Sequence, residues 1–449
     1  MKNKKKISKF TGFRKQLTTS EHFSIVQYSL KWLLIATIVG GLVGTASAIF
    51  LVLLENATNW REENIWIIAL LPLGGLMIGL VYHYWGRDVE AGNNILIEEI
   101  HHPKRVVPFK MAPLVFFGTV ATHFFGGSAG REGTAVQMGG SIADQLTYLF
   151  RLHAGDRKIL IITGICAGFA SVFGTPLAGA IFGLEVFFMG RIKYDALFPG
   201  FLAAILADYI TTAWGVGHIH YEILVVPELG FLNILYAIIA GICFGLTAMI
   251  FANTTHSIGR LFKENIKFPP LRLFIGGIIV AAAVFAVSTT KYIGLGIPTI
   301  LDSFSTSLPP YDFAVKLIFT AVTLGAGFKG GEVTPLFFIG ATLGNALALV
   351  IPLPMALLAG MGFVAVFSGA ANTPLATTIM AIELFGLECG IYAGIACVVS
   401  YLFSGHSGIY TSQVIGHPKH ERFSKEEGQM IASVKGLRRT AGEKENVTD

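Results

Sequence analysis

From Val333 to Ile382 the chain runs 50 residues without an acidic or basic side chain, about twice the roughly 20 apolar residues that carry a helix across the hydrocarbon of a bilayer. Such a stretch must hold at least two segments, and Pro352 and Pro354 mark the expected break. Other uncharged runs are Trp32 to Leu54, Ile65 to Tyr82, Met111 to Gly130, Ile159 to Leu184, Phe231 to Thr255, Leu273 to Thr290 and Cys389 to Gly405. With 449 residues, 53% hydrophobic and only 14% charged, the chain cannot cover a soluble globule with polar groups. These runs predict an all-α, multi-pass integral membrane protein in contact with lipid.

Charge is concentrated at the ends. Lys2, Lys4, Lys5, Lys6, Lys9, Arg14 and Lys15 precede the first run, and Lys419, Arg422, Lys425, Lys435, Arg438 and Arg439 follow the last. The positive-inside bias places both termini in the cytoplasm, so the net charge of +5 reflects topology, and no nucleic-acid partner is expected. The first 31 residues are basic and polar for too long to be a cleavable signal. The last 33 are too few for another folded domain. Cys166, Cys243, Cys389 and Cys397 lie in apolar runs at no metal-ligand spacing and read as packing residues; no metal or cofactor is expected.

The chain also resembles itself. Gly127–Thr134 (GSAGREGT) and Gly327–Thr334 (GFKGGEVT) share four of eight residues at a displacement of 200. Thr175-Pro176-Leu177-Ala178 with Glu185 matches Thr373-Pro374-Leu375-Ala376 with Glu383 at 198. Gly44–Phe50 pairs with Gly245–Phe251 at 201, and Leu73–Gly75 with Ile275–Gly277 at 202. Four collinear blocks at nearly one period divide the chain into a basic arm (1–27), a first membrane repeat (28–225), a second (226–416) and a tail (417–449). Paired halves are a signature of secondary transporters, whose substrate sits between the repeats near mid-membrane; an odd number of spans per half would make them inverted.

Three Thr-Pro pairs, at Thr175, Thr334 and Thr373, place a capping hydroxyl before a proline, a preferred helix start. Helix N-termini carry free N–H groups and partial positive charge, so several converging make an anion site. Thr334 follows a glycine-rich loop inside an apolar region, which suits that role; Thr175 and Thr373 are equally compatible with plain helix starts at the membrane surface. Intramembrane carboxylates are functional candidates by default. Glu132 and Glu332 occupy equivalent places in the two halves and could alternate between ionised and protonated forms, as proton coupling requires. An ion pair with Arg131 is the structural alternative for Glu132, disfavoured because adjacent residues on a helix seldom face each other. Glu185 and Glu383 read as structural or interfacial, and Asp208 has no assigned role.

An enzyme reading is weaker. Gly405-His406-Ser407-Gly408 fits a G-x-S-G pattern resembling rhomboid intramembrane proteases, with His83 or His123 as formal partners, but a twofold repeat has no place there. No HExxH, Walker A or GxGxxG signature occurs, and no catalytic residue is assigned.

Gly130-Arg131-Glu132-Gly133-Thr134 resembles the gating-glutamate motif of CLC anion channels and transporters, Gly331–Pro335 their second anion-binding loop, and Tyr410 their inner tyrosine. The resemblance covers essentially the whole membrane portion. It implies a CLC-type inverted repeat with tilted and broken helices, a homodimer with a pore in each subunit, and Glu132 as external gate. Asn93 in place of a serine, Glu332 and Thr334 in the second loop, and Val186 where many chloride exchangers place an internal glutamate are closer to the fluoride/proton antiporter branch. The implied function is fluoride export against inward protons from the cell membrane, with chloride/proton exchange or a chloride channel as the alternative. Glu132 and Glu332 are the expected proton and gating groups, and Asn93, Gly130, Arg131, Gly133, Val333, Thr334 and Tyr410 the expected anion-binding set. Fluoride is small and strongly hydrated, so its site must replace water with hydrogen-bond donors.

Overall fold

The computed structural model describes residues 21–219 and 221–434; the basic residues Lys2 to Lys15, Lys435, Arg438 and Arg439 lie outside them. Among the described residues, sixteen α-helices fall into two runs of eight. The first is α1 (Glu21–Glu63), α2 (Leu71–Trp85), α3 (Asn93–His101), α4 (Met111–Phe124), α5 (Glu132–Phe150), α6 (Ala154–Phe173), α7 (Pro176–Glu185) and α8 (Leu197–Ala213). The second is α9 (Phe231–Asn265), α10 (Pro269–Val287), α11 (Ile297–Ser305), α12 (Asp312–Ala326), α13 (Val333–Leu347), α14 (Met355–Ala371), α15 (Pro374–Phe385) and α16 (Gly390–Phe403). Long and short helices recur in the same order. At 43 residues α1 is about 64 Å long, well over the hydrocarbon thickness, whereas α3 and α7, with 9 and 10 residues, are far too short to cross. Among the described residues, five helical segments are long and apolar enough to span a membrane: Glu21–Glu63, Ile65–Trp85, Tyr194–Ala213, Phe231–Asn265 and Pro269–Val287.

Two uncharged runs divide more finely than charge alone predicts. Ile159 to Leu184 breaks into α6 and α7 at Gly174, whose φ of +70° suits glycine. The Val333 to Ile382 run holds three helices, parted around Pro352–Pro354 and again at Asn372–Thr373.

Close helix contacts explain part of the glycine content. α5 packs on α6, and α13 on α14. A Cβ on Gly139 would strike the Gly164 carbonyl, and one on Gly340 the Gly362 carbonyl, so these backbones approach to a distance only glycine permits.

The starts of α7 and α15 do not take the part in an anion site considered for them. Thr175 and Thr373 stand at their N-cap positions, each followed by proline, but neither hydroxyl bonds a described residue. The protein's own carboxylates cap these ends instead. Glu185, ending α7, accepts from Leu375 N (3.1 Å) and Ala376 N (2.9 Å) of α15. Glu383 of α15 accepts from Leu177 N (2.9 Å) and Ala178 N (2.8 Å) of α7. Each acid satisfies first-turn donors of the helix that carries the other and lies at the positive end of its dipole, so both N-termini are already occupied.

Asp144 of α5 and Glu99 of α3 are buried around Arg157 of α6. Arg157 Nε donates to Asp144 Oδ1 (2.8 Å) and Nη1 to Glu99 Oε2 (3.0 Å), while Nη2 reaches Asp144 Oδ2 (2.8 Å) and the Arg105 carbonyl (2.5 Å). This cluster fixes α3, and hence Asn93 at its start, against α5. Arg157→Leu would strand two buried carboxylates, and the expected loss is about 3–5 kcal/mol of stability, read as a lower unfolding midpoint in detergent. An unchanged midpoint would contradict the assignment.

β1 (Phe188–Met189) and β2 (Val414–Ile415) form a short parallel pair, Phe188 against Val414 and Met189 against Ile415. It ties the chain after α7 to the segment that carries Tyr410.

Candidate anion and proton site

The loops before α5 and α13 meet back to back. Gly130 N donates to Gly331 O at 2.6 Å and Gly331 N to Gly130 O at 2.8 Å, an antiparallel bridge between the two halves. Only glycine fits: a Cβ on Gly130 would lie 2.9 Å from Glu132 Oε2, and one on Gly331 2.7 Å from Gly133 N. Irregular backbone at membrane depth needs partners within the protein, and the first loop has them. Gly294 N donates to Gly127 O (2.9 Å), Ser128 bonds Thr323 and Thr320 of α12 (3.2 and 2.9 Å), and the His123 ring faces Ala129 O at 3.0 Å.

The bridge aims the starts of α5 and α13 at each other. Glu132, first residue of α5 and fully buried, lays its carboxylate on the start of α13. Thr334 Oγ1 donates to Glu132 Oε1 (2.5 Å), and Thr334 N donates to Oε2 (3.1 Å). Arg131 N also donates to Oε2 (3.2 Å), and Arg131 Nε lies 3.6 Å from Oε1. The disfavoured Arg131–Glu132 pair is therefore present. The helical spacing argument does not apply, because Arg131 is the N-cap residue with φ −116°, outside the helix proper. Arg131 Nε has no hydrogen-bond partner among the described residues. α13 begins at Val333 with Glu332 at its N-cap position, two residues before the cap expected at Thr334, which lies inside the first turn.

Glu332 faces the other way. It lines a cavity of about 760 Å³ with Asn93, Gln137, Lys329 and Tyr410, whereas Glu132, Arg131 and Thr334 line a pocket of about 20 Å³ with Ile219 and Tyr221. Gly133 lets the start of α5 approach the large cavity's lining: a Cβ there would stand 3.2 Å from Asn93 Nδ2 and 3.7 Å from Glu332 Oε2. Asn93 opens α3 after Gly92 (φ +58°), and its Oδ1 is buried with no partner among the described residues. Tyr410 is buried on the segment after α16, its ring 6.5 Å from Phe182. Asn94 Oδ1 accepts from Ser412 N at 3.0 Å, tying that segment to α3.

Six of the nine sequence-predicted residues line these two cavities, Asn93, Glu332 and Tyr410 the large one and Arg131, Glu132 and Thr334 the small one, while Gly130, Gly133 and Val333 belong to the loops and helix starts beside them. Gln137, Lys329 and Tyr221 also line these cavities and were not singled out from sequence. Lys329 lies within the quoted GFKGGEVT block; Gln137 and Tyr221 carry no such signal. Val186 is buried, and its carbonyl accepts from Gln413 Nε2 at 2.8 Å. Asp208 lies 3.3 Å from His218 Nε2. Among the described residues the G-x-S-G pattern builds no serine–histidine pair. Ser407 Oγ donates to Ser404 O (2.7 Å), and His406 pairs with Glu426. His123 is held between the Thr119 and Ala129 carbonyls, and His83 packs edge-on against Phe268.

Residues 74–405 match the sequence profile of the family described as "Voltage gated chloride channel". The chain belongs to the voltage-gated chloride channel family. Among CLC relatives, a "Chloride/fluoride channel protein" from Pseudomonas syringae pv. tomato is 56% identical over 413 residues, 91% of each chain. The fold is similar to the crystal structure of a CLC-type fluoride/proton antiporter, with a TM-score of 0.84 and 32% identity, covering 88% of this chain and 99% of that one. A slow cyanobacterial Cl−/H+ antiporter shares the CLC fold at a TM-score of 0.74 and 20% identity, covering 91% of this chain and 98% of that one. The two loops thus belong to a chain of the CLC family, with an anion channel protein and ion/proton antiporters among its relatives.

Proposed function

We propose that this protein is a secondary active transporter that expels fluoride from the cell in exchange for inward protons. One observation carries the reading: the Glu132 carboxylate occupies the N–H and hydroxyl of Thr334 at the start of α13, where an incoming anion would find its donors. Carboxylate and anion exclude each other there. Protonation weakens the acid's hold and lets an anion take its place, which links anion occupancy to proton uptake. Glu332, on the large cavity, is the second proton station, standing in for the internal glutamate whose place Val186 takes.

Asn93, Tyr410, Thr334 and the N–H groups near Gly130, Arg131, Gly133 and Val333 are the proposed donors that replace fluoride's water shell. The names of the relatives support this cargo: one is a chloride/fluoride channel protein and one a fluoride/proton antiporter. Chloride/proton exchange and a passive channel are the alternatives within the family.

The same reading places the protein in the cell membrane with both termini in the cytoplasm, on the basic arm and tail. The large cavity then opens inward, since Tyr410 leads directly into the tail. Residues 28–225 and 226–416 form the two repeats, a division supported by the matching runs of eight helices. Exposed Leu177, Leu375, Ile391 and Val398, on α7, α15 and α16, supply an apolar face for a homodimer, with lipid around the rest.

The test is fluoride-electrode efflux from proteoliposomes under an inward proton gradient. Protein-dependent fluoride release that quickens with the gradient is expected. Chloride leaving as readily as fluoride would overturn the fluoride assignment.

A further inference from the structure

Gln137 sits on α5, five residues beyond Glu132, and only 9% of it is exposed. Its amide opens onto the large cavity and bonds no described residue. Neither amide atom is sealed without a partner, so the amide takes its hydrogen-bond partners from what fills the cavity. The amide lies close to Gly92: a Cβ there would stand 3.1 Å from both Gln137 Nε2 and Oε1. Gly92 and Asn93 open α3, which the Arg157 cluster fixes against α5. Gln137 and Asn93 therefore both bring amides to this cavity, which Glu332 and Tyr410 also line.

We infer that Gln137 is a specificity-determining residue: its amide N–H binds the anion in the large cavity as the anion sheds water before reaching Glu132 and Thr334. The inference rests on the fluoride-exchange reading and adds a residue to it. Packing against Gly92 alone would need a side chain of this length but no amide. Fluoride demands more donors than chloride does, so loss of this N–H penalises fluoride more.

The experiment measures the half-saturating fluoride concentration on the large-cavity side, the maximal rate and the proton-to-fluoride ratio in proteoliposomes for wild type, Gln137→Leu, Gln137→Met and Gln137→His. Met keeps the length without the amide, and His keeps a ring N–H. Leu and Met are expected to raise half-saturation roughly tenfold, the worth of one hydrogen bond to an ion, and to reduce the preference for fluoride over chloride, with the proton ratio as in wild type. His is expected to stay within about threefold of wild type. The inference is overturned if Met leaves half-saturation unchanged, or if His raises it as far as Met does. A wild-type protein that moves no fluoride would instead remove the exchange reading on which the inference stands.

Discussion

Glu132→Gln is expected to abolish proton movement. The substitution preserves the shape of the side chain but leaves an amide that cannot ionise, facing the hydroxyl and N–H of Thr334, where the carboxylate now accepts two hydrogen bonds. Without a group that is expelled on protonation, anion occupancy and proton uptake lose their shared site. Positioned proton-transfer groups contribute roughly 10²–10⁴-fold, so protein-dependent proton flux should fall to the leak of empty vesicles. The measurement is proton flux by pH electrode alongside fluoride flux in the same vesicles. Coupled flux that persists at the wild-type ratio would remove Glu132 from the gate.

Glu332→Gln should reduce the proton-to-fluoride ratio while leaving fluoride able to pass. Glu332 stands at the N-cap position of α13 and lines the large cavity, whereas Glu132 lines the small pocket. A proton leaving Glu132 toward the cytoplasm needs an acceptor there, and Val186, buried after α7, offers none. With the neutral amide in place the ratio is expected to drop about tenfold or more. Full coupling retained in liposomes would sink Glu332 as a proton station, without touching Glu132.

The helix pattern and the meeting of the two loops were legible in different degrees. A displacement near 200 between Gly127–Thr134 and Gly327–Thr334 anticipates the two runs of eight helices, because equivalent turns need equivalent glycines and caps. The same blocks point to Glu132, Thr334 and Glu332 as chemistry-bearing. Their meeting across the bridge is not legible, since contact between residues 202 apart depends on how the halves dock. Glu185 and Glu383 show the same limit. Their repeat relation and structural character can be read from the chain, but that each caps the other's helix cannot, and the Thr-Pro starts at Thr175 and Thr373 invite an anion-site reading that those carboxylates preclude. The break at Gly174 escapes a scan for charge because both flanking helices are buried and apolar. Gln137 escapes because one polar residue in a helix has no direction until the helix is placed beside Gly92.

The most direct test of exchange loads vesicles with fluoride, leaves no initial pH difference, and clamps the voltage with potassium and valinomycin while bath pH is recorded. If outward fluoride drives protons inward, the bath turns alkaline as the lumen acidifies, and the signal requires Glu132. A bath that stays constant while fluoride leaves would mark a passive fluoride pathway, and a bath that turns acid would mark escape of undissociated HF; either result would contradict fluoride/proton exchange.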